Sequence, residues 1–396
     1  MIVEGLSIFT HESIAVHIEG ERIAAVRSLD GGKDLPLLAP GFLDMQVNGV
    51  LDSDYHLESF SADRIAEIVA YLDRSGTTQH VATIITSPKE RILRSLRTLA
   101  GAVAADRNLE RAIPAIHIEG PFISRLDGPR GAHDLTYVRP PDSEEAKQWQ
   151  EAAEGRIRMI TVSPEWEQAP AFIEAISEMG IVAAIGHTAA TGEQIRDAVK
   201  AGARISTHLG NGSHTQVPRL RNYIWEQLAE DRLLAGIISD GFHLPDSVLK
   251  VFTRVKGPER LILVSDVAHL AGCKPGIHKR GNIDVQVFED GHLGLPGTEI
   301  LAGAGHLLDW DIPHFAAVTG LSLGEIIPLV TINPGRLLGL ESEYGTLQPG
   351  APANLTLFRR GAGSQPTAGS LPETGNLPLQ ILKTIRAGKV VYSPSR

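Results

Sequence analysis

Cysteine is almost absent from this 396-residue chain, which contains only Cys273. A single cysteine excludes an intrachain disulfide framework and any metal site built on several thiolates. The first residues, MIVEGLSIFT, lack the basic segment and long apolar run of a signal peptide. No stretch approaches the ~20 consecutive apolar residues that a membrane-spanning helix needs. These absences predict a cytoplasmic protein that does not enter a membrane.

Positive charge is also in deficit, because 37 Lys and Arg residues stand against 47 Asp and Glu residues, a formal net charge of −10. This balance argues against nucleic acid or an anionic membrane as a general partner. A small anionic substrate would therefore need a local cationic pocket. The hydrophobic fraction of 42% supports a sizeable core, and the length indicates one large domain or one with a small satellite.

Short β-branched runs alternate with amphipathic stretches through most of the chain. Eight runs end in polar residues: GFLDMQV, TQHVATIIT, AIPAIHIEG, RIRMITVSPE, GIVAAIGHT, ARISTHLG, LLAGIISDG and RLILVSD. Helical patterns such as SADRIAEIVAYLDRSG and GEQIRDAVKAGA separate most of them. Eight alternating units predict an α/β fold, a (β/α)8 TIM barrel. A doubly wound sheet is the alternative, but no glycine-rich dinucleotide loop follows a strand.

Strand patterns without helices occupy both ends of the chain. SIAVHIEG and RIAAVRS precede residue 40, and GTLQPGAPANLTLFRR and ILKTIRAGKVVY follow residue 340. We expect residues 1–40 and 340–396 to build one small β-sandwich domain beside a barrel at 41–339. Residues 361–378, rich in Gly, Pro, Ser and Thr, predict a long surface loop. Residues 270–297 predict a loop with a β-hairpin after the eighth strand.

The strand ends carry many His, carboxylate and amide side chains. These residues are Asp44, Gln46, Glu119, Glu165, His187, His208, Asp240 with His243, and Asp266. In barrel enzymes the active site lies at the C-terminal ends of the strands. Two imidazoles and one carboxylate suffice for catalytic zinc, so Glu119, His187 and His208 are candidate ligands. Each alone is more typical of a salt-bridge partner or a structural histidine, but their equivalent places in different βα units favour a shared metal site.

Ordered motifs extend this pattern along the chain. They are PGFLDMQVNG (40–49), HIEGPFIS (117–124), GAH (131–133), GHTAA (186–190), THLGN (207–211), DGFHLP (240–245), LVSDVAHLAG (263–272), LAGAG (301–305), NPGRLLGL (333–340) and GTLQPGAPANLTLF (345–358). With these motifs the chain resembles the amidohydrolase superfamily and, within it, the N-acetylglucosamine-6-phosphate deacetylases. The resemblance implies hydrolysis of N-acetylglucosamine 6-phosphate to glucosamine 6-phosphate and acetate.

The resemblance also implies a role for individual residues. It places the metal on Glu119, His187 and His208, and it makes Asp266 the general acid and base. It implies substrate contacts at six positions: Gln46, His133, Asn211, Gly212, Arg219 and His243. Arg219 would bind the phosphate, since a guanidinium suits phosphate oxygens. The surrounding PRLRNYIWEQLAED equally fits the start of an amphipathic helix with surface Arg residues.

The number of metal ions depends on the end of the first barrel strand. Many relatives carry His-x-His there, which supports a second metal, whereas this chain has Gln46-Val47-Asn48. The resemblance therefore implies one divalent ion per chain, with Zn²⁺ as the first choice and Fe²⁺, Mn²⁺ or Co²⁺ as alternatives. Such an ion lowers the pKa of bound water from 15.7 towards ~7. Asp266 would then take the water proton and deliver it to the departing amine. The family also implies a homodimer.

Several stretches depart from the family pattern and leave other functions open. Asn211 is followed by Gly-Ser-His, the usual Gly-Arg-Glu-Pro-Gly is replaced by VPRLRNYIWEQ, VLDSDYH follows Gly49, and LAGAG precedes His306. The first alternative is an amidohydrolase acting on another N-acyl amine or a cyclic amide. The second is a non-catalytic sugar-binding barrel, which the joint presence of Asp266 and three metal ligands disfavours.

Overall fold

The structure is a computed structural model that describes residues 1–31, 34–56, 60–280, 283–298, 300–340, 344–361 and 377–394. The strands before the first helix are β1 (Ile2–Ser7), β2 (Ser13–Glu19), β3 (Arg22–Ser28), β4 (Leu37–Pro40), β5 (Phe42–Val47), β6 (Gly49–Val50) and β7 (Ser53–Asp54). The later strands are β8 (Thr77–Ile85), β9 (Ala115–Glu119), β10 (Ile157–Val162), β11 (Val182–Ile185), β12 (Ile205–Ser206), β13 (Leu234–Ile237), β14 (Leu261–Leu263), β15 (Gly276–Arg280), β16 (Ile283–Val287), β17 (Leu293–Gly294), β18 (Leu355–Arg359), β19 (Gln380–Arg386) and β20 (Lys389–Tyr392).

The helices connect the barrel strands and follow the last of them. They are α1 (Ala62–Asp73), α2 (Lys89–Ala105), α3 (Arg107–Ala112), α4 (Ser143–Ala152), α5 (Ala169–Glu178), α6 (Gly192–Ala201), α7 (Tyr223–Ala229), α8 (Asp246–Lys256), α9 (Leu308–Thr319), α10 (Leu323–Ile326) and α11 (Ile332–Leu337). Side-chain caps start several of them, as in α6, where Thr191 and Gln194 form a capping box. The buried stripe of α6, which includes Ile195 and Val199, packs on the barrel.

Eight parallel strands form the barrel in the order β5-β8-β9-β10-β11-β12-β13-β14. The two ends of this sheet meet where Val47, the last residue of β5, pairs with Val267 beyond β14. The N–H of Asn48 donates to the Val267 carbonyl oxygen at 3.0 Å. These contacts close the barrel at the C-terminal ends of its strands, and they confirm the predicted (β/α)8 fold.

The barrel strands are buried on both faces, which explains why their sequences are nearly continuous apolar runs. Every residue of β5 and β9 is buried. Inward-facing side chains such as Leu43, Met45 and Met159 pack into one cluster inside the barrel. The interior is therefore a filled core. It includes a few buried polar side chains within the strands, such as His117, whose Nε2 lies 2.8 Å from Thr161 Oγ1.

Strands from both chain ends form a second, seven-stranded sheet in the order β20-β19-β18-β4-β1-β2-β3. Its edge strand β3 returns to the segment before β18, where the N–H of Ile23 donates to the carbonyl oxygen of Ala351 at 2.9 Å. This sheet has its own core, which includes Val16, Leu38 and Leu355. A β-rich unit built from the two chain ends is thus confirmed as one curled sheet.

The segment after β14 carries a small three-stranded sheet, β15-β16-β17, where the sequence predicts a hairpin. Residues 362–376, most of the predicted surface loop, lie outside the described residues. Among the described helices, no single one is long and apolar enough to cross a membrane. The bent pair Leu308–Thr319 and Leu323–Leu337, at 117°, fits a span by length and composition only.

Candidate active site

The predicted metal ligands end three different barrel strands. Glu119 is the last residue of β9, and His187 and His208 follow β11 and β12 by two residues. Both histidines and Asp266, which follows β14, have left-handed backbones with φ of +48°, +29° and +50°. Non-glycine residues rarely adopt this conformation, and those that do are concentrated at functional sites. The turn at each strand end thus points a polar side chain into the barrel mouth.

Glu119, His187 and His208 converge on one point. The Oε1 atom of Glu119 lies 2.9 Å from His208 Nε2 and 3.2 Å from His187 Nε2, and the two Nε2 atoms are 3.1 Å apart. All three side chains are buried. One carboxylate and two imidazoles are a donor set that Zn²⁺ accepts in catalytic sites. The three residues therefore fit a divalent metal ion.

The far side of the His187 ring is fixed by the loop that precedes His133. Nδ1 of His187 donates to the carbonyl oxygen of Pro129 at 2.9 Å, which leaves Nε2 free to bind a metal. Gly212 packs against the same ring, and a Cβ added there would lie 2.7 Å from His187 Nδ1. The structure therefore places Gly212 behind a predicted ligand, where only glycine fits.

The charge state of Glu119 suits metal binding. Burial by itself would raise the pKa of the Glu119 carboxyl, but hydrogen bonds from His187 and His208 outweigh it and hold the pKa well below its usual range. Burial would likewise lower the pKa of His208, and the hydrogen bond and charge of Glu119 instead raise it to about 9. Without a metal, a proton on the imidazole balances the carboxylate, and a cation can take the place of that proton.

His133 lies closer to the metal ligands than its predicted substrate role requires. Glu119, His133 and His187 each offer a ligand atom within 4.8 Å of the others. Nδ1 of His133 is 2.7 Å from Thr86 Oγ1, so Nε2 is its free nitrogen. Burial, and then the neighbouring His187, lower the pKa of His133 to about 3. A neutral imidazole beside the cluster can hydrogen-bond a substrate or serve as a further ligand.

The Gln46-Val47-Asn48 segment contacts both carboxylates of the site. Gln46 Nε2 donates to Glu119 Oε1 at 3.0 Å, and Asn48 Nδ2 donates to Asp266 Oδ1 at 2.8 Å. The Gln46 amide is therefore hydrogen-bonded to Glu119, whereas the sequence predicts that Gln46 contacts the substrate. Asn48 is absent from the predicted site residues, although it follows Gln46 by two residues, a spacing that places both side chains on the same face of an extended segment.

Asp266 lies across the mouth from the cluster, partly buried and without an ion pair to any described cation. Burial, followed by repulsion from Glu119, raises its pKa to about 6. A carboxyl with such a pKa can take up and return a proton near neutral pH. This is the behaviour that the sequence predicts for Asp266.

His243 and Asp240 form a pair on the loop after β13. Nδ1 of His243 lies 2.7 Å from Asp240 Oδ2, and Asp240 Oδ1 accepts the N–H groups of Phe242 and His243. Burial opposes ionisation, but the His243 charge and hydrogen bond lower the pKa of Asp240 to about 2. The Asp240 charge, against burial, raises the pKa of His243. The pair can therefore present a cationic imidazole to an anionic substrate group.

The remaining predicted residues are placed differently. Asn211 follows His208 in a turn, and its Nδ2 is buried without a hydrogen-bond partner among the described residues, so it is available to a ligand.

Arg219 is exposed, and its carbonyl oxygen accepts from Trp225 Nε1 at 3.3 Å. Within the described part of the chain its guanidinium contacts neither the metal cluster nor His243. The structure does not bring Arg219 into the site.

Glu165, which the sequence noted only as a strand-end residue, braces two site loops. Its Oε1 accepts from Ser124 Oγ and its Oε2 from the N–H of Ala189, both at 2.8 Å. These loops follow Glu119 and His187. Glu165 therefore holds the two ligand-bearing strand ends at a fixed separation.

Known proteins share this architecture over nearly the whole chain. A model of the amidohydrolase family matches residues 37–391. The N-acetylglucosamine-6-phosphate deacetylase of Bacillus subtilis (strain 168) is 31% identical over 323 residues, which cover 81% of this chain and 80% of that protein. The Homo sapiens enzyme of the same name is 32% identical over 362 residues, with coverages of 86% and 83%.

A solved structure gives the same comparison in three dimensions. It is a mutant N-acetyl-D-glucosamine-6-phosphate deacetylase from Mycobacterium smegmatis in complex with N-acetyl-D-glucosamine-6-phosphate. It matches this chain with a TM-score of 0.83 and 29% identity over 98% of both chains. The likeness therefore includes the barrel and the sheet built from the chain ends.

Proposed function

The chain belongs to the amidohydrolase family, and we propose that it hydrolyses N-acetylglucosamine 6-phosphate to glucosamine 6-phosphate and acetate. The observation that carries this proposal is the convergence of Glu119, His187 and His208 at one barrel mouth, with Asp266 across from them. Relatives that carry this activity by name match more than four fifths of the chain. This is hydrolysis of a linear amide.

We propose one divalent ion per chain, held by Glu119, His187 and His208, with Zn²⁺ as the first choice. When bound, such an ion supplies an acidified water and polarises the amide carbonyl. Residues of the chain transfer the proton and contact the substrate. Asp266 takes the proton of the attacking water and gives it to the sugar nitrogen, because an unprotonated amine anion is a poor leaving group. His133 offers its free Nε2 to the substrate.

Phosphate recognition has support from the His243–Asp240 pair, which provides a cationic imidazole. The buried, unpartnered Nδ2 of Asn211 adds a donor. Arg219 is exposed and lies outside the metal-ligand cluster of its own chain. A phosphate contact by Arg219 therefore needs a movement of its segment or a second copy of the chain. We propose that the enzyme is a homodimer. We place the enzyme in the cytoplasm.

The decisive experiment compares N-acetylglucosamine 6-phosphate with N-acetylglucosamine and with N-acyl amino acids and cyclic amides on the metal-loaded enzyme. We expect acetate release from the phosphorylated sugar with the highest kcat/KM. Turnover of the free sugar but not of its 6-phosphate would reject the proposed substrate while keeping the chemistry. Sugar binding without any hydrolysis would favour the non-catalytic barrel.

A further inference from the structure

Asn48 occupies the seam where the barrel closes. Its backbone N–H donates to the Val267 carbonyl oxygen at 3.0 Å, and its own carbonyl oxygen accepts from the N–H of Tyr55 at 3.2 Å. Val47, the last residue of β5, and Val267, beyond the end of β14, form the β-bridge that closes the barrel sheet. Because the backbone is held on both sides, the position of the Asn48 side chain is well defined.

The Asn48 amide makes a directed contact with Asp266. Nδ2 donates to Asp266 Oδ1 at 2.8 Å, whereas Asn48 Oδ1 is buried with no hydrogen-bond partner among the described residues. An ionised carboxylate has no proton to donate, so only the nitrogen of the amide can face it. The orientation of Asn48 therefore matches an ionised Asp266, which is the form that acts as a base.

The same contact makes the two Asp266 oxygens unequal. Oδ1 is occupied by the Asn48 donor, while no described group donates to Oδ2. Asp266 is only partly buried, and Oδ2 is not among the fully buried unpartnered side-chain atoms of the described residues, so this second oxygen is accessible. Because Oδ1 already accepts a hydrogen bond from Asn48, a proton taken up by Asp266 binds to Oδ2. The geometry thus selects Oδ2 as the oxygen that carries the proton.

Gln46 acts in the same way on the other carboxylate, since its Nε2 donates to Glu119 Oε1 at 3.0 Å. The two amides lie two residues apart at the end of β5, and each binds one carboxylate of the site. Each amide supplies a neutral hydrogen-bond donor to a buried carboxylate whose anionic form burial disfavours.

We propose that Asn48 is a positioning residue for proton transfer: its amide occupies Oδ1 of Asp266 and so directs the proton to Oδ2. This inference rests on the proposed amide hydrolysis. In that reaction the water oxygen bonds to the acetyl carbon and the carbon–nitrogen bond breaks. The water proton moves to Oδ2 of Asp266 and then to the sugar nitrogen, so Asp266 ends as it began.

Two substitutions separate this role from simple packing. Asn48→Asp keeps the shape but removes the donor and adds a like charge, whereas Asn48→Ala removes both shape and donor. We expect kcat to fall in the order parent, Asn48→Ala, Asn48→Asp, by roughly 10- to 100-fold for Asn48→Ala, with KM changing much less. A role limited to packing predicts the reverse order for the two variants.

Metal content and structure are measured on the same samples. We expect elemental analysis to show parental metal in Asn48→Ala, and its crystal structure to show the Asp266 carboxylate rotated from its parental orientation. Asn333→Ala is the matched control. Its Nδ2 donates to the Pro258 and Leu261 carbonyl oxygens at 2.9 Å in a buried position away from the metal ligands. This control is expected to lose stability and to keep the parental kcat.

The outcomes distinguish the inference from the proposed function. If the parent hydrolyses no N-acetylglucosamine 6-phosphate, the proposed function fails, and the orientation of Asp266 in the Asn48→Ala crystal still tests the positioning role. An unchanged carboxylate would overturn that role, as would a kcat within threefold of the parent at full metal occupancy. A loss of kcat that added metal restores would also overturn it, because Asn48 would then support the metal ligands.

Discussion

The two carboxylates at the barrel mouth have different surroundings, and this difference separates their tasks. Glu119 receives hydrogen bonds from two imidazoles, which hold its pKa well below its usual range against the effect of burial. Asp266 has one amide donor and a raised pKa of about 6, caused by burial and then by repulsion from Glu119. The first remains an anion that can hold a cation, and the second can exchange a proton near neutral pH.

Replacement of Asp266 tests the second task. Asp266→Asn is nearly isosteric, but an amide cannot accept and return a proton at neutral pH. We expect kcat to fall by roughly 10²–10⁴-fold, the usual range for a positioned acid–base group, with KM changing much less. Steady-state kinetics on enzyme of measured metal content checks this. A fully loaded variant within about tenfold of the parent would remove Asp266 from the mechanism.

Replacement of the ligands tests the first task. Three protein ligands leave little redundancy, so Glu119→Ala and His208→Ala should each purify with far less than the parental one ion per chain. His80→Ala is the control, because His80 is equally buried but bonds to Tyr55 instead of the metal cluster. Elemental analysis measures the metal content of each protein. Two ions per chain in the parent would contradict the single-ion proposal. Full occupancy in Glu119→Ala would contradict the ligand assignment.

At the scale of elements, the loop after β12 packs against a metal-ligand residue that follows the neighbouring strand β11. Gly212 has φ of +54°, and an added Cβ would lie 2.7 Å from His187 Nδ1. Gly212→Ala should therefore displace the His187 ring and weaken metal binding. Gly180→Ala is a matched control, since Gly180 has φ of +74° with nothing within 4 Å of its added Cβ. Both variants carry backbone strain, but only Gly212→Ala should raise the metal dissociation constant in a chelator competition.

Much of this element pattern could be predicted from the sequence, because buried parallel strands are short apolar runs with polar ends. Each of the eight predicted runs covers all or nearly all of one barrel strand. Their ends were less predictable: β12 is only Ile205–Ser206, because the chain leaves the extended conformation before His208. The metal ligands were predictable as strand-end residues. The contacts of Gln46 and Asn48 were not, since they depend on distances between residues that are 73 and 218 positions apart in sequence.

At the scale of the whole molecule, the sheet from the chain ends is attached to the barrel through buried polar contacts. Arg386, in β19, forms a buried ion pair with Asp73 at the end of α1. Thr384 Oγ1 donates to the Asp73 carbonyl oxygen and Thr356 Oγ1 to that of Gly76, each at 2.7 Å. The division at residues 40 and 340 stays a prediction. These contacts nevertheless link the end of the chain to the first barrel helix.

Arg386 therefore provides a test of how the terminal sheet supports the barrel. Arg386→Met should leave Asp73 buried without its cation, which typically costs ~3–5 kcal/mol of unfolding free energy. Adding Asp73→Asn to that variant removes the unpaired charge and should recover part of the loss. Denaturant unfolding measures both, and kcat per folded molecule should stay at the parental value because neither residue contacts the site. A double variant no more stable than Arg386→Met alone would show that packing of the Arg386 stem, rather than its charge, joins the two units.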